Sequence, residues 1–262
     1  MKLPVDGRLL VLLDRIAPAA AFVGLLLLWE ATVRLLAIPS FLLPSPSVVM
    51  QAMLATPLPV WLGHIWATLR VALMGYALAI LISVPLAVAL ASSRLLSRTL
   101  YPILVVVQST PIVAVAPIII VTLGASDLPR VVITFLIAFF PIVVSTVTGL
   151  LATPDELVEL SRSLRAGRVR EILHVRLPFA LPHLFSALKI SSTLAVIGAV
   201  VAEFVAAERG LGFFIAFSTS FFKIPSAFAG LVILVAISLA LFRLVGLAQK
   251  LLAPWSLPKS ER

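Results

Sequence analysis

The sequence predicts an all-α, polytopic membrane protein with six transmembrane helices and both termini in the cytoplasm. Three observations lead there. First, 61% of the 262 residues are hydrophobic and 12% charged, where soluble domains carry about 45–50% and 25%, and mean hydropathy is +1.19. Second, six apolar runs reach the roughly 20 residues that a helix needs to cross about 30 Å of hydrocarbon. Third, Lys and Arg are divided unevenly among the connections. The composition, with no cysteine, excludes a disordered chain, a disulfide scaffold and an ordinary cytosolic enzyme.

Residues 1–15 form a cytoplasmic N-terminus carrying Lys2, Arg8 and Arg15. The first span follows at about 16–38. Its apolar stretch outlasts a signal-peptide core and offers no small-residue cleavage site, so an uncleaved helix is expected. Residues 39–67 hold Pro39, Pro44, Pro46, Pro57 and Pro59 with Trp61 and Trp66. They are expected outside, as short interfacial helices with the tryptophans at headgroup level. The remaining spans fall at about 68–91, 101–123, 129–152, 183–206 and 228–252. Buried strands are excluded by length. Pro85, Pro111, Pro117 and Pro141 suit membrane helices, whose neighbours satisfy the freed carbonyls; the third span, with two of them, should be kinked.

Residues 153–182 are the most charged part of the chain, with four acids and five arginines. Pro154 opens the stretch, Pro178 and Pro182 close it, and between them only Gly167 breaks a helix. A cytoplasmic helix-turn-helix along the membrane surface is expected. In 207–227, Gly210-Leu211-Gly212 precedes Phe213, Phe214, Phe217, Phe221 and Phe222. Spacings of three and four put most of these rings on one face of a short external or half-inserted helix, as packing or interface, with a ligand-stacking surface the alternative. A cytoplasmic tail, 253–262, ends the chain. With this assignment thirteen Lys and Arg lie in inside connections and three (Arg130, Arg209, Lys223) in outside ones, the bias of the positive-inside rule. The net charge of +9 is spread between apolar runs with no basic block, so nucleic acid is not an expected partner.

No catalytic constellation appears. His64, His174 and His183 are scattered without metal-ligand spacing, so no metal site is expected. There is no Gly-x-x-x-x-Gly-Lys-Ser/Thr loop for ATP and no nucleophile elbow. Uphill movement of a solute would draw on a partner or an ion gradient. The charged loop suits docking of a cytoplasmic partner, with Leu157, Leu160, Leu164 and Ile172 filling a groove and the charges setting register; a solvated loop is the plainer alternative.

Charges inside spans each need a reason, since one at mid-bilayer costs roughly 2.5–3.5 kcal/mol. Glu30 and Arg34 are spaced i,i+4 with the acid first, a structural pair. Lys189 and Arg243 can snorkel. Glu203, near the outer end of the fifth span, is either satisfied by backbone amides or Arg209, or is an outer gate or contact for a binding protein. Gln108, Ser109 and Thr110 cluster at the proline-kinked point of the third span, and Ser191, Ser192 and Thr193 in the fifth. Either cluster is interhelical packing or lining of a translocation pathway; the pathway candidates are Gln108, Ser109, Thr110, Ser192 and Glu203.

The charged loop resembles the Glu-Ala-Ala coupling motif of permease subunits of ABC importers. That motif runs Glu-Ala-Ala, three residues, Gly, nine residues, Ile, one residue, Leu-Pro. Counted back from Leu177-Pro178, the isoleucine position is Val175, the glycine position Arg165 and the triplet Glu159-Leu160-Ser161. Where related permeases read Ser-Leu-Gly-Ala-Ser-Arg, this chain reads Ser163-Leu164-Arg165-Ala166-Gly167-Arg168. The flexible residue is therefore expected two places on, with a different bend between the loop helices. Trp29-Glu30, Leu43-Pro44-Ser45-Pro46-Ser47, Thr110-Pro111 through Ala116-Pro117, Phe139-Phe140-Pro141 and Gly210-Leu211-Gly212 extend the likeness to the nitrate/sulfonate/taurine-type permeases. Gly198 through Phe204 and Ala253-Pro254-Trp255 look most like permeases for thiamine-pyrimidine precursors, riboflavin or similar heterocycles, which makes such a heterocycle the expected substrate and a sulfonate- or nitrate-type anion the alternative.

The resemblance implies the type I ABC importer permease fold in a bacterial inner membrane. It implies a second copy of the chain, two ATPase subunits that bind ATP and Mg, and an external substrate-binding protein; no cofactor is expected on this chain. It assigns ATPase coupling to Glu156, Glu159, Ser161, Arg162, Leu164, Arg165, Ala166, Gly167 and Arg168. A self-contained secondary carrier is the alternative, though such carriers often show inverted repeats and none is convincing here. An integral membrane enzyme is a weaker rival, since ionisable residues do not cluster on one site.

Overall fold

The computed structural model describes residues 7–124 and 126–257, with side chains from residue 16 onward. The ends of the expected N-terminal segment and tail (1–6 and 258–262) lie outside the described residues. These contain eleven α-helices, a π turn, a 3-10 turn and no strand. The chain divides into two compact units.

The first unit comprises Met1–Leu58 and Ile215–Leu231. It contains α1 (Gly7–Leu35) and α2 (Pro46–Ala55). Ser45, at the N-cap of α2, makes no side-chain cap bond, and Glu30 of α1 does that work. Its carboxylate accepts from the Ser47 amide at 2.9 Å, the Ser47 hydroxyl at 2.7 Å and Arg34 Nε at 2.5 Å. An anion here meets the positive end of the α2 dipole. The i,i+4 pair is structural, and it holds one helix to the next. Trp29 packs on Phe228 at 6.0 Å.

The second unit comprises Pro59–Phe214 and Val232–Arg262. It is built on α3 (Leu58–Ser92), α4 (Arg94–Ser109), α5 (Ile112–Leu123), α6 (Asp127–Leu151), α7 (Asp155–Ser163), α8 (Arg168–Glu171), a π turn (Ile172–Arg176) and α9 (Leu177–Ala206). Then come α10 (Leu211–Ser220) and α11 (Ile224–Leu252), whose residues are divided between the two units, and a 3-10 turn at Pro254–Ser256. Small residues let the helices approach closely, as in membrane bundles. A Cβ on Gly75 of α3 would stand 2.4 Å from Thr134 of α6, and one on Gly198 of α9 2.8 Å from the same residue. Ala79, Ala87, Ala138 and Ala195 are buried around Ile142 and Val143. Two cross-helix hydrogen bonds pin this core: Tyr76 Oη donates to the Leu188 carbonyl (2.8 Å) and Ser83 Oγ to the Phe139 carbonyl (3.0 Å). At the end of α11, Gln249 Nε2 donates to Ser256 Oγ at 2.9 Å, folding the tail back.

Three elements depart from the sequence reading. The third apolar run is no single kinked helix: α4 and α5 meet at 92°. Pro111 lacks an amide hydrogen and drives Thr110 into extended backbone (φ −74°, ψ 126°), which ends α4. Ser93 Oγ caps the start of α4 by accepting from the Leu96 amide, seven residues before the expected span. Among the described residues five helices are long and apolar enough to cross a membrane, six if the bent pair is one span. Next, α3 starts at Leu58 and takes in both tryptophans. Trp61 is buried against Phe214 at 4.7 Å, while Trp66 is exposed. Finally, Pro178 and Pro182 do not close the charged loop. Helix runs unbroken from Arg168 to Ala206: a π turn, closed by the Leu177 amide donating to the Ile172 carbonyl, widens the helix just ahead of Pro178, whose ring in a regular α-helix would strike the carbonyl four residues back.

Candidate functional site

The charged loop is a rigid corner built from its own residues. Asp155 and Glu156 sit in the first turn of α7 and Arg162 in its last, each sign matching the helix dipole. The helix ends in a Schellman motif: the Ala166 amide donates to the Ser161 carbonyl at 3.0 Å and the Arg165 amide to the Arg162 carbonyl at 2.9 Å. Arg165 takes the left-handed position with φ 55°. This corrects the expected displacement of the bend. The turn stays at the family's glycine position, occupied by arginine, while Gly167 is extended (φ −68°, ψ 156°) with nothing within 4 Å of where a Cβ would be.

Glu171, which the sequence reading did not single out, clamps the corner. It is buried, accepts from Arg162 Nε at 3.1 Å and from Arg176 Nε at 2.9 Å, and Arg176 also donates to the Leu150 carbonyl of α6. Burial pushes the Glu171 carboxyl up, and the guanidinium groups of Arg162 and Arg176 more than reverse this, holding it below the ordinary carboxylate range. The available signal was an acid flanked by arginines at nine and five residues. Ser161 is buried, its hydroxyl donating to the Val158 carbonyl at 2.9 Å.

What the clamp leaves outward is apolar. Leu160, Leu164, Val169 and Leu173 are exposed at 55%, 74%, 70% and 51%, beside exposed Glu156, Glu159, Arg165 and Arg168. Leu157 is exposed too, whereas Ile172 is half-buried. A cavity of about 660 Å³ has Arg94, Asp155, Glu159, Arg168 and Glu171 in its walls.

The proposed pathway residues do not meet in one place. Gln108, Ser109 and Thr110 are exposed at the α4–α5 break, where the Ser109 and Thr110 hydroxyls donate to the Val105 and Val106 carbonyls of their own helix. Ser192 is buried, its hydroxyl on the Lys189 carbonyl at 2.7 Å. Glu203 is 2% exposed. Its Oε2 accepts from Thr68 Oγ1 at 3.1 Å and from the Gly212 amide at 2.7 Å, so a backbone amide and a hydroxyl hold it. The Phe stripe divides: Phe213 and Phe214 lie 6.3 and 5.3 Å from the His64 ring, while Phe217 and Phe221 pair with each other at 4.6 Å. A second cavity, about 560 Å³, is walled by Arg70, Asp127, Arg130 and residues 206–209; Asp127 bridges Arg70 and Arg130.

Comparison with known proteins gives this geometry its context. The family model for the binding-protein-dependent transport system inner membrane component matches residues 79–256. The riboflavin transport system permease protein RibX of Chloroflexus aurantiacus is 40% identical over 235 residues, spanning 88% of this chain and 87% of that one. The formylaminopyrimidine transport permease protein ThiX of Halalkalibacterium halodurans is 32% identical over 91% of this chain and 95% of its own. An inward-facing structure of the MetNI methionine ABC transporter superposes with a TM-score of 0.63 at 25% identity, covering 78% of this chain and all of that one. The chain therefore belongs to the inner-membrane component family of binding-protein-dependent transport systems, and it is a multi-pass permease subunit of an ABC importer.

Proposed function

We propose that the 153–182 loop is the docking site of the ATPase subunits, and that this permease moves a neutral aromatic heterocycle of the riboflavin or thiamine-pyrimidine-precursor class. The observation that carries the first part is the exposed set Leu160, Leu164 and Val169 on a corner locked by Glu171. An exposed apolar patch on an otherwise charged loop is a protein-interaction surface. Glu156, Glu159, Arg162, Arg165 and Arg168 set the register of the docked partner, while Ser161, Ala166 and Gly167 shape the turn that presents it. ATP and Mg reside on two partner ATPases, two copies of this chain form the pathway, both termini are cytoplasmic, and a binding protein docks at the opposite end. No group on this chain catalyses a reaction.

The substrate class rests on the relatives named for riboflavin and formylaminopyrimidine transport. It is also supported by pathway candidates that are polar and uncharged at the α4–α5 break: Gln108, Ser109 and Thr110. These line the path. Ser192 and Glu203, both buried, hold α9 in place beside it. A partner-driven switch between two packings supplies alternating access.

Mild-detergent purification of the tagged chain from its native membrane, with mass spectrometry of everything retained, tests this reading. Recovery of an ATPase subunit and a binding protein loaded with a heterocycle supports it. A binding protein loaded with a sulfonate or nitrate contradicts the substrate class. Recovery of the chain alone, still transporting in vesicles without ATP, contradicts the ATPase partnership.

A further inference from the structure

The helix that leaves the charged loop ends on a buried acid. From Arg168 to Ala206 it runs for 39 residues without a break, roughly 58 Å at the α-helical rise. Near its far end Glu203 is almost fully buried, and Oε2 takes both of its donors, Thr68 Oγ1 and the Gly212 amide. Thr68 Oγ1 in turn accepts from the Leu211 amide at 2.8 Å, and His64 Nδ1 from the Gly210 amide at 3.2 Å. Three successive amides of the 210–212 turn are thus fastened to α3 and α9.

The turn sits directly on the carboxylate. A Cβ on Gly210, whose φ is +128°, would stand 2.2 Å from Glu203 Cδ. Immediately before it, residues 206–209 wall the cavity of about 560 Å³ shared with Arg70, Asp127 and Arg130. Glu203 Oε1 has no partner among the described residues.

We propose that Glu203 is a positioning residue for transport: it latches the 207–212 turn to α3, closing that wall of the cavity, and, carried on α9, it frees the turn when the 153–182 loop is moved. The proposal rests on the coupling role assigned to that loop. The latch works through the acceptor oxygen, not through charge. Glutamine keeps that oxygen, leucine removes it, and Thr68→Val removes the hydroxyl that bridges to Leu211.

The chain has no cysteine, so Ala207→Cys provides a single reporter on the half-buried turn. It is labelled with a water-soluble maleimide in nanodiscs holding the permease alone. Thr68→Val and Glu203→Leu should raise the labelling rate about tenfold, the upper end of the effect of losing a buried hydrogen bond, while Glu203→Gln stays within about twofold of the parent. Thr68→Val and Glu203→Leu together should not exceed the larger single effect. In the full complex the same two variants should lower solute moved per ATP with ATP hydrolysis retained.

Unchanged labelling in Thr68→Val overturns the latch, and this variant decides if Glu203→Leu does not assemble. A Glu203→Gln variant that behaves as Glu203→Leu also overturns it, because charge would then be the operative property. Faster labelling with an unchanged solute-to-ATP ratio overturns the role in transport. A parent chain that binds no ATPase fails the coupling reading instead, and the labelling of the permease alone tells that outcome apart.

Discussion

Arg165 has a left-handed backbone, and so do Ala37 and Phe222. All three close a helix with the same pair of bonds: Ile38 to Val33 and Ala37 to Arg34, Ala166 to Ser161 and Arg165 to Arg162, Lys223 to Ser218 and Phe222 to Thr219. Glycine is the usual occupant of this position, and a side chain there costs roughly 1–2 kcal/mol. Arg165→Gly should therefore stabilise the isolated permease by about 1 kcal/mol, read as a higher midpoint of thermal unfolding in detergent. Gly167→Ala, at an ordinary φ with open space around it, should change stability by less than about 1 kcal/mol, because the gain through the unfolded chain is opposed by glycine's advantage over alanine at the N-cap of α8. If Gly167 were a hinge needing a left-handed backbone, the loss would exceed that. Glu171 gives a pH prediction. Its carboxyl is held below its unfolded value of about 4.3, so its contribution to the loop is complete above that value and is lost as pH falls through the lower folded one. Proteolysis of the loop should rise on acidification through that window, and Glu171→Gln should be cut faster already at neutral pH. Spacing from Leu177-Pro178 located the family's turn position at 165, but the arginine there and the glycine at 167 pointed away from a left-handed backbone at 165. Glu171 was hidden for another reason: its two arginine partners, at nine and five residues, share no helical spacing with it.

The packing of α3, α6 and α9 turns on Thr134, fully buried between Gly75 and Gly198. Gly75→Val and Gly198→Val should each force these helices apart. Overpacking typically costs 1–3 kcal/mol, and backbone is part of the contact at both glycines. Thermal unfolding in detergent should show the loss, and adding Thr134→Ala should recover part of it by clearing the methyl nearest Gly75. The long apolar runs of α3, α6, α9 and α11 were legible because length alone marks a membrane helix. The α4–α5 break was half legible: Pro111 signalled a kink, but the extended conformation it imposes on Thr110 turns a kink into a 92° corner. The loop boundary at Pro178 and Pro182 was misplaced because a π turn, which has no sequence signature, lets helix continue through both.

On the scale of the whole molecule, the charged loop and the Glu203 fastening lie at opposite ends of one continuous helix, which gives a push at one end a mechanical route to the other. The class of protein was legible in the order and spacing of motifs along the chain, and the match over residues 79–256 displaces the carrier alternative. The glutamate at 203 was legible as an anomaly, but its partners Thr68 and Gly212 were not, since they come from 135 residues upstream and from a turn. Glu159 gives the most direct test of coupling: Glu159→Lys should leave membrane insertion and the fold intact, because the side chain is exposed and no part of the Glu171 clamp. The decisive measurement is uptake of the binding protein's solute into proteoliposomes containing this chain and its ATPase, with and without ATP, for the parent and for Glu159→Lys. The account predicts ATP-dependent uptake by the parent, and ATP hydrolysis without uptake by the variant. Uptake that needs no ATP, or that is unchanged in the variant, would contradict it.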